Sequence, residues 1–236
     1  MAFDITAFSR LFIIFVPQIF MVGLFSFLIF KMLKRNTNRN SLTLSGFYFT
    51  VSLSLALNGF TVLIAFFLPG EYIGGLYFFL TYLVIFSFVF VMVFILGLLK
   101  LKYVFTVKKA VAMILAYGIV WLLVLLYPGG ISYSENWVPI YSFPLYITAN
   151  ILFTISFTIP VIYYSIRLRR LFKDSDLKKK LSLFLIGIML AIIIIYGALL
   201  YGTWQDATFK TVWSLTTTVL LISSGLLIYY GIGRDL

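Results

Sequence analysis

Cysteine and histidine are both absent from the chain. The first absence removes disulfides, thiol nucleophiles and thiolate metal ligands, and leaves the redox compartment open. The second removes the imidazole general base and the commonest metal ligand. Membrane hydrolases built on histidine and carboxylate clusters go with them, and no Gly-x-Ser-x-Gly elbow is present. The chain therefore reads as a non-enzyme with no metal and no cofactor. Charge is scarce too, at 11% of residues, and no Asp, Glu, Lys or Arg falls in the middle of a long apolar run. Ionisable groups inside a bilayer mark proton relays, ion sites and counter-ions. Their absence argues against a proton pump, a proton-coupled antiporter and a retinal protein, since the one lysine near the last run, Lys210, sits at its mouth.

What the chain does have is apolar length. Hydrophobic residues make up 63% of it, and the mean hydropathy is +1.11. Seven runs stand out, at residues 8–33, 42–68, 73–99, 110–127, 145–166, 181–201 and 211–231. Each is near the ~20 residues that a helix needs to cross a bilayer. The remainder is enough for loops only, so a single domain covering 1–236 is expected. The fold class is an all-α integral membrane protein, a seven-transmembrane helix bundle.

The basic residues fix its direction. Lys31, Lys34, Arg35 and Arg39 follow the first run; Lys100, Lys102, Lys108 and Lys109 follow the third. Arg167 to Lys180 follow the fifth, and Arg234 follows the seventh. Only Arg10 and Lys210 lie on the other side. By the positive-inside rule the N-terminus is outside and the C-terminus cytoplasmic, in a multi-pass protein of the cell membrane. The net charge of +11 is divided among short loops beside apolar runs. It points to the lipid bilayer as partner and not to nucleic acid. The first run carries Asp4 and Arg10 ahead of it and no small-residue cleavage site behind it. It is expected to stay as a span and not to act as a cleaved signal.

Uncharged polar residues within the runs share a depth. At ~1.5 Å per residue in a core ~30 Å thick, Gln18, Asn58, Asn150, Tyr196 and Thr217 all fall in the outer half. Thr50, Ser54, Asn58 and Thr61 lie on one helical face, as do Ser214, Thr217 and Ser224, and both faces are expected to point into the bundle. Two readings stand. The five residues form an outer pocket for a small or lipid-like ligand, roofed by the loop 128–144 with Trp137 and Trp204; or they are interhelical contacts. Small residues four apart (Ala112 and Ala116, Gly187 and Ala191, Ala198 and Gly202) predict close helix packing. Pro160, which cannot donate to the carbonyl of Ser156, predicts a kink above the strongest basic loop.

With that topology the chain resembles the seven-transmembrane sensor region found ahead of histidine kinase and related signalling domains. The likeness rests on length, span count, orientation and the final stretch LLIYYGIGRDL, an apolar-aromatic run ending in a basic residue. It implies a receptor or sensor that binds its ligand in the outer half and signals to a cytoplasmic partner through the Arg167–Lys180 loop. The alternatives are a transporter or channel for a neutral small solute and a structural subunit of a membrane complex. A chain without cysteine makes topology easy to test. Introduced singly, Ser132→Cys should react with a membrane-impermeant maleimide on intact cells, and Ser175→Cys only after permeabilisation; the reverse pattern would overturn the orientation.

Overall fold

A computed structural model describes residues 5–64, 70–99, 106–133 and 139–234, with the side chains of 5–15, 62 and 71 outside that description. The elements are α1 (Ile5–Arg35), α2 (Arg39–Ile64), α3 (Gly70–Leu98), α4 (Val107–Leu125), β1 (Ile131–Tyr133), β2 (Pro139–Tyr141), α5 (Phe143–Phe153), α6 (Ile159–Leu171), α7 (Ser175–Thr203) and α8 (Ala207–Ile228). A π turn, Thr154–Thr158, joins α5 to α6, and a second, Tyr229–Gly233, extends α8. Side-chain caps set several starts. Thr106, Ser142, Asp174 and Asp206 each accept from a backbone N–H of the helix they precede, which satisfies groups that a helix end otherwise leaves unpaired. The cap at Asp174 is why α7 begins at Ser175, ahead of its apolar run.

Among the described residues, six segments are long and apolar enough to cross a membrane: Val16–Arg35, Tyr72–Leu98, Val107–Leu125, Phe143–Leu171, Ser175–Thr203 and Ala207–Gly233. The fold is all-α, with the make-up of a multi-pass membrane protein. The expected run 42–68 lies partly outside the described residues, and its described part forms α2. It has the length to span, at 26 residues, and it carries Ser41, Ser45, Thr50, Ser52, Ser54, Asn58 and Thr61. Those hydroxyls are not wasted on lipid: Thr50, Ser54 and Thr61 are buried, as their shared face predicts.

The centre of the bundle is α3 and α7, whose most apolar windows are 61% and 50% buried, against 17–28% for the other four. Around them the aromatic core interlocks edge to face. Phe88 of α3 meets Phe47, Phe153 and Phe157 at centroid distances of 5.8, 5.2 and 4.9 Å, a geometry that aligns ring edges with ring faces.

Backbone packs directly on backbone where α7 meets the end of α8. A Cβ on Gly187 would stand 2.9 Å from the backbone N of Ile228 and 3.0 Å from the carbonyl of Ser224. One on Gly231 would stand 2.5 Å from the N of Phe184 and 2.8 Å from the carbonyl of Lys180. The two glycines let backbone lie on backbone, and Ser224 Oγ donates to the Gly187 carbonyl at 2.8 Å across the gap. Higher up, Gly197 makes room for the Trp213 ring and Gly202 for Tyr141. Of the expected small-residue pairs, Gly187 and Ala191 are buried at this seam, whereas Ala112 and Ala116 are exposed.

The loop 128–144 contains a hairpin that its residues did not announce. Its strands are three residues each, with Ile131 opposite Tyr141 and Tyr133 opposite Pro139. The entry turn needs Gly129 at φ +72°, a backbone state that glycine adopts without penalty. Pro160, where the sequence predicts a kink, sits at the start of α6 directly after a π turn. The missing N–H falls just after the π turn Thr154–Thr158, which widens the helix where an α-turn cannot close. The α7–α8 seam carries a direct test. Gly231→Ala should cost about 1–3 kcal/mol by overpacking against immovable backbone, whereas Gly23→Ala, with nothing within 4 Å of its Cβ, should be neutral or slightly stabilising. Denaturant titration in mixed micelles distinguishes them.

Candidate functional site

At the hairpin end, a cavity of about 220 Å³ opens between α2, α3 and α7. Ser54 and Asn58 line it from α2, Tyr77 and Thr81 from α3, and Ala198 from α7, with Tyr141 contributed by β2. Most of its polar groups are already engaged. Ser54 Oγ donates to the Leu80 carbonyl at 3.3 Å. Thr81 Oγ1 donates to the Tyr77 carbonyl at 3.0 Å, so its 2.9 Å bond with the Tyr141 hydroxyl is donated by the tyrosine. Asn58 differs: among the described residues its amide has no hydrogen-bond partner. A carboxamide offers two donors and an acceptor, here presented to an otherwise apolar space.

The hairpin closes this end. Tyr133 donates to the Gly74 carbonyl at 2.7 Å, and Tyr141 reaches down to Thr81 with its ring against Gly202. Both anchors land on α3, and the second bridges to α7. Burial pushes the Tyr133 phenol above its ordinary range, so it stays a donor. The roof is thus made by tyrosines. Trp137 lies outside the described residues, and Trp204 is exposed, stacked on Phe209 at 5.2 Å.

The five residues expected to share a pocket divide. Asn58 lines the cavity. Tyr196 is engaged on α5, where its hydroxyl lies 2.6 Å from Thr154 Oγ1 and 3.1 Å from Thr158 Oγ1. Thr154 already donates to the Asn150 carbonyl at 2.7 Å, so the chain runs from Thr158 to Tyr196 to Thr154 to Asn150, each hydroxyl donating once. The Asn150 amide donates to the Tyr146 carbonyl of its own helix at 2.7 Å. Asn150 and Tyr196 are thereby joined through Thr154 and hold the π turn against α7. Gln18 on α1 and Thr217 on α8 each bury an oxygen without a partner, and neither lines the cavity.

A third fate for hydroxyls, which depth and face alone do not reveal, is common here. Thr43, Thr50, Thr61, Ser182, Thr203, Thr211, Thr216 and Thr218 donate to the carbonyl four residues back. Such back-bonding places their single donor inside their own helix, leaving them only an acceptor for other partners. Cross-helix bonds are made instead by tyrosines and a few serines: Tyr48 to Gly225 at 2.7 Å, Tyr117 to Ile85 at 3.3 Å and Ser224 to Gly187. At the basic-loop end, Ser41, Ser45, Ser165 and Tyr229 bury hydroxyls with no partner. Sequence inspection missed Tyr77, Thr81 and Tyr141 as lining residues; the aromatic-rich loop was the available signal for the last.

Compared with protein-family models, characterised proteins and solved structures, the chain finds no match in any of the three. Among the described residues no group of three or more acidic side chains is placed to hold a metal, in keeping with the chemistry of the lining. The Thr154–Tyr196 pair can be weighed directly. In a double-mutant cycle of Thr154→Val and Tyr196→Phe, we expect a coupling of about 0.6–1.7 kcal/mol, the range of membrane interhelical hydrogen bonds, read as unfolding free energy in bicelles.

Proposed function

We propose that the chain is a seven-span receptor or sensor of the cell membrane, with α2 as the seventh span, the hairpin end outside and the basic loops in the cytoplasm. A small or lipid-like neutral ligand occupies the α2–α3–α7 cavity, and the signal leaves through the Arg167–Lys180 loop to a cytoplasmic partner. The observation that carries this reading is the unpaired Asn58 amide in a cavity capped by the hairpin. A site with a mostly apolar lining and a free carboxamide suits recognition of a small ligand by a few hydrogen bonds. The resemblance to the seven-helix sensor regions of histidine kinases supports it in span count and orientation. The basic loop is available to a partner: Arg167, Arg169, Arg170, Lys173, Lys178 and Lys179 are exposed.

A transporter for a neutral solute is the second reading. It is favoured by one observation, the partnerless hydroxyls of Ser41, Ser45, Ser165 and Tyr229 at the basic-loop end, which continue polar character beyond the cavity. Against it, the same end is filled by Met32, Leu44, Phe94 and Phe184, all fully buried.

The two separate in one preparation. The protein is reconstituted and its thermal unfolding followed with each member of a panel of small neutral solutes. A sensor predicts a solute that raises Tm in the wild type and not in Asn58→Leu, and that does not cross the membrane in counterflow. Exchange of that solute across proteoliposomes would establish transport instead, and an equal Tm rise in Asn58→Leu would remove the cavity from the account.

A further inference from the structure

A second cavity, of about 320 Å³, lies on the other side of the bundle between α4 and the α5–π segment, with α3 behind it. Met113, Ala116, Val120 and Trp121 line it from one face of α4, over ~12 Å of helix rise. Ala116 and Val120 are exposed, so the crevice opens sideways on the surface that a spanning α4 turns to lipid. Leu152 and Ser156 form the opposite wall.

Two unpaired polar atoms interrupt this largely apolar lining. Trp121 is completely buried, and its Nε1 has no hydrogen-bond partner; Ser156 Oγ is buried without one too. An indole N–H can only donate, and leaving it unpaired in a low-dielectric interior is costly. Tyr117 stands beside it, with ring centroids 6.2 Å apart; its hydroxyl donates to the Ile85 carbonyl, and the indole N–H approaches the phenol oxygen without reaching hydrogen-bond geometry. Ser156 is unusual in its own helix, since Thr154 two residues earlier does find a backbone acceptor.

Water fits the crevice poorly. Its volume equals about ten waters, yet a buried water needs two to four polar partners, and the lining offers two unpaired groups beside a Tyr117 hydroxyl already engaged with Ile85. An apolar body with a single acceptor fits both facts, and the volume sits at the small end of ligand pockets. We propose that this crevice is a bilayer-facing binding site for a small apolar molecule carrying one hydrogen-bond-accepting oxygen, about the size of a nine-carbon methyl ketone. The oxygen accepts from Trp121 Nε1, the Ser156 hydroxyl is the second polar point, and the carbon chain lies along Met113, Ala116 and Val120. None of the residues of the α2–α3–α7 cavity is involved, so this site stands or falls separately. Ser156 belongs to the π turn whose Thr154 and Thr158 hold Tyr196, so an occupant touches the same turn from the opposite side.

The indole N–H is its own reporter. In protein labelled with nitrogen-15 at tryptophan, the Trp121 resonance is the one lost in Trp121→Phe. Titrating a nine-carbon methyl ketone into the micelle-embedded protein should move that resonance downfield, saturably, with nonane at the same micellar concentration moving it much less. Ala116→Phe, which fills the mouth from an exposed position, should abolish the shift while the other indole signals stay in place; Ala116→Leu serves if they do not. An unmoved resonance overturns the proposal. An equal shift with nonane overturns it in favour of a lipid-chain groove without polar recognition, and a shift that persists in both Ala116 variants places the ketone elsewhere.

Discussion

Backbone lying on backbone at the α7–α8 seam is the contact on which the rest of the bundle depends. Gly187 and Gly231 face each other's chains at distances that no side chain could occupy, and Ser224 seals the approach with a hydrogen bond. This is how helices associate in lipid, where tails are as apolar as leucine and close packing must supply the attraction. The seam puts Ile228 and Tyr229 into the core beside Phe184 and holds α7 at the centre. With α7 fixed, Tyr196 reaches α5, Gly202 receives Tyr141, and Ala198 lines the hairpin-end cavity. Changing the seam would disturb both ends of the molecule.

Tyrosine is the second structural device. Among the described residues, the hydroxyls of Tyr48, Tyr117 and Tyr133 donate to a backbone carbonyl of another element. Tyr141 and Tyr196 engage threonines instead. A phenol carries a long apolar ring through the core and spends its polar tip on a single acceptor. That suits a bundle with few charges, because it crosslinks helices without placing an ion in the membrane.

Much of this was legible in the chain and some was not, for identifiable reasons. Apolar runs and loop charges locate helices because burial in lipid demands length and sign, and nothing local competes. The polar face of α2 was legible for the same reason: Thr50, Ser54 and Thr61 fall in the core because their spacing leaves them nowhere else. The grouping of Gln18, Asn58, Asn150, Tyr196 and Thr217 rested on height alone. Height along a helix follows from residue number, but the neighbour that a side chain meets depends on how each helix is rotated. Asn58 therefore faces α3 and α7, while Tyr196, nearly level with the same cavity, turns to α5. The hairpin escaped notice because three-residue strands carry no periodicity. Its tyrosines look like interfacial anchors until their hydroxyls are seen on α3.

The π turn between α5 and α6 sets the azimuth of everything below it. Buried residues along this helix, Leu145, Ala149, Phe153, Phe157, Val161 and Ser165, recur every four positions. In an uninterrupted α-helix such a stripe drifts by about 40° at each step, since four residues turn through more than one revolution at 3.6 per turn. A turn that takes in one surplus residue winds the stripe back by about 100°, the rotation of a single residue. Val161 and Ser165 thus keep facing the core and do not swing round to lipid, and the segment entering the basic loop inherits its bearing from that one additional residue.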